Sequence, residues 1–228
     1  MGDQIVNGPF AGYKWIALFK DWEVFAQGFG VTVIASVLAL LLALALGVAF
    51  GVFGASHWKA TKALSRIYVE FIQNTPLVVQ IFFLFHGLPH LGIMLPVFSL
   101  GVIGVGVYHG AYIAEVIRAG IQAIPKGQIE AAYSQGFTYW KAMRHIILPQ
   151  AKRIVFPPLT NQAVSLIKNT SVMAIVAGGD LMYRADSWSS GNIYYGPAYV
   201  ITGLLYLSLC LPLARYARKL ERMAEVNP

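Results

Sequence analysis

The sequence predicts an all-α integral membrane protein, a bundle of five transmembrane helices with a polar helical segment between the third and the fourth. Three observations carry this. Of the 228 residues 57% are hydrophobic and only 12% charged, with a mean hydropathy of +0.60, a balance outside the range of soluble domains. The apolar residues are gathered into blocks of roughly 20, the length a helix needs to cross hydrocarbon. The basic residues lie beside those blocks and not on one solvated face, so the net charge of +7 reads as membrane topology and excludes a nucleic-acid footprint.

The first span runs from Phe29 to Phe53 inside a charge-free stretch between Glu23 and Lys59. It is too long for a signal peptide and has no basic start. The second runs from Ile67 to Leu88 and contains the break Asn74-Thr75-Pro76; the third runs from Val97 to Ile117. The fourth, Ile154 to Gly179, is interrupted by polar residues, and the fifth covers Ile193 to Leu213. Charge sets the direction. Lys59, Lys62 and Arg66 lie between spans one and two, Arg118, Lys126, Lys141, Arg144, Lys152 and Arg153 between three and four, and Arg215, Arg218, Lys219 and Arg222 in the tail. Those thirteen of 17 bases share one side only if the span count is odd. The positive-inside rule then puts the N-terminus outside and the C-terminus in the cytoplasm.

The first 27 residues, with Tyr13, Trp15, Phe19, Trp22 and Phe25, are expected to form an interfacial helix. Residues 180–192, with Asp180, Arg184, Asp186 and Trp188, are expected to be the longest outside loop. A soluble partner delivering cargo would land there and on the short loop from Pro89 to Pro96. Without repeats or a composition shift, a single transmembrane domain covers 1–228. Cys210 is the single cysteine, so no disulfide forms within the chain.

Several chemistries are excluded. There is no GxxxxGK[ST] to cradle ATP, and the glycines Gly101, Gly104 and Gly106 lie in an apolar span with no strand before them. Histidines 57, 86, 90, 109 and 145 show no ligand spacing, so no metal and no cofactor is expected, and no clustered nucleophile and base marks a catalytic site. Asn169-Thr170-Ser171 matches a glycosylation sequon only at membrane depth. Ala39, Ala43, Gly47 and Gly51 recur every four residues, which lets helices approach closely in lipid; a subunit interface and internal packing explain them equally well.

Span four is chemically unusual. Asn161, Ser165, Lys168 or Asn169, and Val172 fall on one helical face, and Gln162 and Thr170 add to its polarity. Such groups are costly in hydrocarbon and must face a bundle interior or a watery cavity, so they are candidates for a substrate path, with His109 and Tyr112 of span three at comparable depth. Glu70 and Glu115 read as structural partners of Arg66, Arg118 or a base of the segment between spans three and four, and not as ligands.

Between spans three and four, Pro125 and Lys126-Gly127 break the helix and Gln128 to Ser134 suits a short one. Gly136 turns the chain, Thr138 can cap the next helix and Pro149 restarts span four. Ala131 and Ala132 beside Glu130 make a compact knob, rimmed by Trp140, Lys141 and Arg144, that could enter a groove on another protein.

Glu130-Ala131-Ala132, Gly136, and then Ile146, Leu148 and Pro149 resemble the EAA-loop signature of permease subunits of ATP-binding cassette importers. Asn74-Thr75-Pro76-Leu77, Ala111-Tyr112-Ile113-Ala114-Glu115, Arg118-Ala119-Gly120-Ile121, Lys126-Gly127-Gln128 and Lys168-Asn169-Thr170-Ser171 narrow the resemblance to the polar amino acid (histidine/glutamine) class, over Phe25 to Leu220. The resemblance implies a multi-pass subunit of the bacterial cytoplasmic (inner) membrane that pairs with a second permease copy or paralogue. Two cytoplasmic ATP-binding cassette ATPase subunits would hydrolyse ATP in its place, and an extracytoplasmic solute-binding protein would deliver an amino acid. The EAA loop would be the coupling helix in a groove of the ATPase, driving the spans from inward-open to outward-open. The polar face of span four carries Lys168 and no acid, which favours neutral polar or acidic amino acids over basic ones. The alternatives are a basic amino acid importer of the same family and a stand-alone ion-coupled carrier.

Overall fold

A computed structural model describes residues 8–226. Helix α1 covers Gly12–Lys20, α2 Trp22–Ala55, α3 Lys59–Gln73, α4 Leu77–His90 and α5 Val97–Gln122. Helix α6 covers Lys126–Ser134, α7 Tyr139–Ala142, α8 Leu148–Asn169, α9 Leu181–Asn192 and α10 Tyr195–Val226. Among the described residues there is no strand. Helices α2, α5 and α10 are long and apolar enough to cross a bilayer, and α3 and α4 pass the same measure only as a pair, across the Asn74–Pro76 break. The expected fourth span, Ile154 to Gly179, does not meet the same measure. Helix α8 carries Lys152 and Arg153 near its start, ends at Asn169 and passes into a 3-10 turn, Thr170–Val176, stopped by Ala177 in the left-handed region at φ 58. The expected polar face therefore ends at Asn169, because Val172 lies in backbone of three residues per turn.

Two compact units divide the chain. The first takes Met1–Ala39, Leu77–Val105 and Leu166–Pro212; the second takes Leu40–Pro76, Gly106–Ser165 and Leu213–Pro228.

The first unit is organised by a segment that the sequence reading made a loop. Residues 181–192 form helix α9, because Leu181, Ala185 and Trp188 repeat at helical spacing and are all buried, with Ser189. Asp180 caps it, accepting from the Met182 amide at 3.0 Å. Leu18 and Phe25 complete this core. The Trp188 indole packs edge-on against Phe25 at 5.4 Å and donates to Asp21 Oδ2 at 2.8 Å. The Leu181 amide donates to Thr32 Oγ1 at 3.0 Å, and a Cβ on Gly28 would stand 2.8 Å from the Leu181 Cα, so glycine lets α9 lie against α2. Of residues 1–27, expected to form one interfacial helix, α1 takes Gly12–Lys20, with Tyr13, Ile16 and Phe19 exposed, whereas Trp22 and Phe25 belong to α2 and Phe25 is buried; residues 1–7 lie outside the described residues.

In the second unit the small-residue stripe of α2 serves internal packing. A Cβ on Gly47 would stand 2.6 Å from Ile113 Cβ, and one on Gly51 2.7 Å from Ile117 Cβ. Polar groups close the same packing: Ser65 donates to the Phe50 carbonyl and Tyr68 to the Val107 carbonyl, each at 2.7 Å, and Gln73 reaches the Ala111 carbonyl at 3.3 Å. Arg66 pairs with Glu70 at 2.7 Å, and Arg118 binds Glu115 through both Nε and Nη2, as expected of the two acids.

Two π-turns, Phe83–Gly87 and Met143–Ile147, each end two residues before a proline, at Leu88-Pro89 and Leu148-Pro149. A proline inside a helix removes one N–H and crowds the carbonyl four residues back, and a wider turn relieves both. Pro149 therefore does not restart a helix; the chain runs helically from Tyr139 to Asn169 through the π-turn.

Two outcomes are expected. Gly47→Ala costs about 1–3 kcal/mol by overpacking against Ile113, whereas Gly30→Ala, with open space at its Cβ, is neutral or stabilising, read from thermal unfolding in detergent. The second concerns Asp180, which lies just beyond the expected fourth span, fully buried, with Oδ1 making no hydrogen bond. Burial pushes its carboxyl from 3.8 up to about 6, against the pull of the Met182 and Tyr183 amides. A carboxyl raised by folding contributes most when protonated, so stability is full below 3.8 and falls as pH rises through about 6. Asp180→Asn, which keeps the cap, flattens this slope of melting temperature against pH; an unchanged slope assigns it to another group.

Candidate functional site

The segment from Lys126 to Pro149 belongs wholly to the second unit. Pro125 is the N-cap of α6, and α6 ends at Gln135, whose amide bonds the Ala131 and Ala132 carbonyls. Gly136 follows at φ +80, a left-handed conformation that costs glycine nothing. The Phe137 amide then returns to the Ala132 carbonyl at 3.0 Å, closing the turn. Thr138 stands at the N-cap of α7 as expected, but its side chain makes no capping bond.

Exposure divides the motif residues. Glu130, Ala131, Gly136, Leu148 and Pro149 are exposed, and Ile146 is half-buried. Ala132, at 2% exposure, is not part of a projecting knob; with Ala142 and Ile147 it is packed beneath it. The Gln150 amide ties α8 to α6 by donating to Gln128 Oε1. The segment thus presents one acid, one small side chain and a glycine turn on a tied base, with Trp140 76% exposed alongside.

Five of the expected path residues lie in the same unit as this segment. His109, 1% exposed, is within 3.2 Å of Gln162 through Nδ1 and Oε1; the amide oxygen only accepts, so Nδ1 carries the proton. Tyr112 is 3.1 Å from Tyr108, hydroxyl to hydroxyl. Asn161 is not drawn to that group: its amide donates to Glu221 of α10 at 2.7 Å. Ser165 is half-buried.

Lys168, Asn169 and Thr170 fall in the first unit. Thr170 is fully buried, and its hydroxyl donates to the Ile167 carbonyl at 2.7 Å. Lys168 is exposed and lines a pocket of about 310 Å³ with Ser171, Tyr199, Thr202 and Tyr206. The Tyr206 hydroxyl is buried there without a hydrogen bond. Sequence reasoning missed Tyr199 and Tyr206, since tyrosines in an apolar span resemble packing residues; the pocket is what distinguishes them. No group of three or more metal-ligating side chains occurs among the described residues.

Residues 43–225 match the family described as binding-protein-dependent transport system inner membrane component. The chain is 46% identical over 208 residues to the probable glutamine ABC transporter permease protein GlnM of Bacillus subtilis (strain 168), covering 91% of this chain and 96% of the relative. It is 34% identical over 165 residues to the arginine transport system permease protein ArtQ of the same organism, covering 72% of this chain and 75% of that one. A crystal structure of an amino acid ABC transporter with histidines superposes with a TM-score of 0.84 at 32% identity, over 92% of this chain and 98% of that one.

Gln162→Leu leaves the buried His109 N–H without this acceptor, which costs about 1–3 kcal/mol. The expected loss of thermal stability exceeds that of Asn161→Leu, whose hydrogen bond to Glu221 is exposed; equal losses would deny the His109 pair a structural role.

Proposed function

Because the chain belongs to the binding-protein-dependent transport system inner membrane component family, we propose that it is the permease subunit of an ATP-driven amino acid importer, coupled to a cytoplasmic ATPase through Glu130 to Pro149. The carrying observation is the pattern of exposure in that segment: Glu130 and Ala131 are presented on a base held by Ala132, Ala142, Ile147 and the Gly136 turn. A small exposed side chain beside a carboxylate suits insertion into a groove, and a tied base transmits displacement instead of absorbing it. ATP hydrolysis belongs to two partner subunits, and a binding protein delivers the solute from outside. A second permease, a copy or a paralogue, completes the path.

The asymmetry of thirteen bases supports an N-terminus outside and a C-terminus in the cytoplasm. Helix α8, which follows the coupling segment without a break in helicity, carries Asn161, Gln162 and Ser165 and ends at Lys168 and Asn169. Rigid-body movement of the segment would thereby reach the polar groups of the substrate path, opening it to one side at a time.

A neutral polar amino acid such as glutamine is the proposed cargo, supported by the 46% identity to a probable glutamine permease and by the Lys168 cation in its pocket, which repels a cationic side chain. The arginine permease relative and the solved structure with histidines favour the competing reading, a basic amino acid.

One reconstitution tests both parts. In vesicles holding the permease, its ATPase and its binding protein, Ala131→Trp lowers uptake about 5- to 150-fold, the range of a lost coupling free energy, while ATP hydrolysis and membrane insertion persist. Full uptake by that variant would sink the coupling role. In the same vesicles glutamine stimulates ATP hydrolysis; stimulation by arginine or histidine in its place would reassign the cargo and leave the coupling role standing.

A further inference from the structure

Helices α3 and α5 and the end of α2 enclose a cavity of about 640 Å³ in the second unit, separate from the coupling segment and from the polar residues of α8. Lys59, Lys62, Arg66 and Arg118 line it, against one carboxylate, Glu70. Arg66 is neutralised by Glu70, and Arg118 by Glu115 just outside. Among the described residues Lys59 and Lys62 are in no ion pair.

The position of those two lysines is locally unfavourable. They sit in the first turns of α3, where the helix dipole is positive, with no acid in the first turn and no side-chain cap from Trp58. A sequence that places two cations against a dipole, beside a third and a fourth, lacks an anion at that spot. The surroundings indicate which anion. Trp58, 64% exposed, precedes Lys59, and the neighbouring face of α3 turns Leu64, Ile67 and Phe71 outward at 52%, 66% and 68% exposure. An aromatic at headgroup depth, bases beside it and apolar side chains running on from it are the elements that hold a lipid by both ends.

We propose that the cavity lined by Lys59, Lys62, Arg66 and Arg118 binds the phosphate headgroup of an anionic phospholipid, whose chains lie along Leu64, Ile67 and Phe71. The two unpaired lysines supply the charge and the open N-terminus of α3 supplies amide donors. Only the choice of leaflet, the cytoplasmic one, rests on the orientation proposed above.

The test is lipid retention by the intact transporter complex in native mass spectrometry, titrated with dioleoyl phosphatidylglycerol or dioleoyl phosphatidylcholine. The wild type retains phosphatidylglycerol in preference. Lys59→Gln with Lys62→Gln weakens that retention by about 25-fold, roughly fivefold for each lysine. Phosphatidylcholine retention is unchanged, as are both retentions in Lys219→Gln. Should the double variant fold poorly, the charge-keeping pair Lys59→Arg with Lys62→Arg retains the lipid, and raising salt from about 0.1 M to about 1 M strips phosphatidylglycerol from the wild type alone. Equal retention of the two lipids by the wild type, or unchanged phosphatidylglycerol retention in the double variant, overturns the proposal. So does loss of an ATPase subunit from the double variant with its lipid still bound, which would make the cavity a protein contact. The count of bound lipid is the same whichever way the chain faces, so a wrong orientation and an absent site are distinguishable.

Discussion

Hydrocarbon offers neither donor nor acceptor, and the internal arrangement of this chain follows from that constraint. A polar side chain on a membrane helix is costly unless another part of the chain satisfies it, which requires backbones to approach one another closely. Tyr68 and Gln73 of α3 reach carbonyls of α5, and Ser65 reaches one of α2. The approach is possible because Gly47 and Gly51 leave no Cβ between α2 and the Ile113–Ile117 edge of α5. Ser36, Thr75 and Thr202 return their hydroxyls to the carbonyl four residues back. Hydrogen bonding and small-residue packing here are two sides of one requirement.

The same constraint explains what the sequence could disclose. Apolar blocks must be long, so α2, α5 and α10 were readable from length alone. Acids in the spans must have partners, so Glu70 with Arg66 and Glu115 with Arg118 could be paired by spacing. Helix α9 was misread because Asp186, Ser187, Ser189, Ser190 and Asn192 outnumber the buried Leu181, Ala185 and Trp188. The spacing of that minority and the cap at Asp180 were visible, and they outweigh composition. The π-turns were beyond pattern reading, because a proline within a helix can be answered by a break, a kink or a wider turn, and the local sequence does not choose among them.

The candidate site was legible unevenly for a related reason. Residue type is informative where the backbone has a single option: Gly136 at a positive φ could be placed from sequence. Facing is less accessible. Asn161 and Gln162 are adjacent in sequence, yet one turns to Glu221 of α10 and the other to His109 of α5, because consecutive helical residues point about 100° apart. Polarity within a span announces that a partner exists without naming it.

The burial of Ala132 has a bearing on natural variation in this segment. A motif drawn from recurring residues superimposes two pressures that leave the same mark. Ala132 and Gly136 are held by the shape of the chain itself, whereas Glu130 and Ala131 face outward and answer to whatever surface meets them. In a lineage where the surface that meets this segment drifts, the outward pair is free to change in concert with it while the inward pair stays. Paired divergence at 130 and 131 between subfamilies would therefore mark a change of partner, and divergence at 132 or 136 a change of fold.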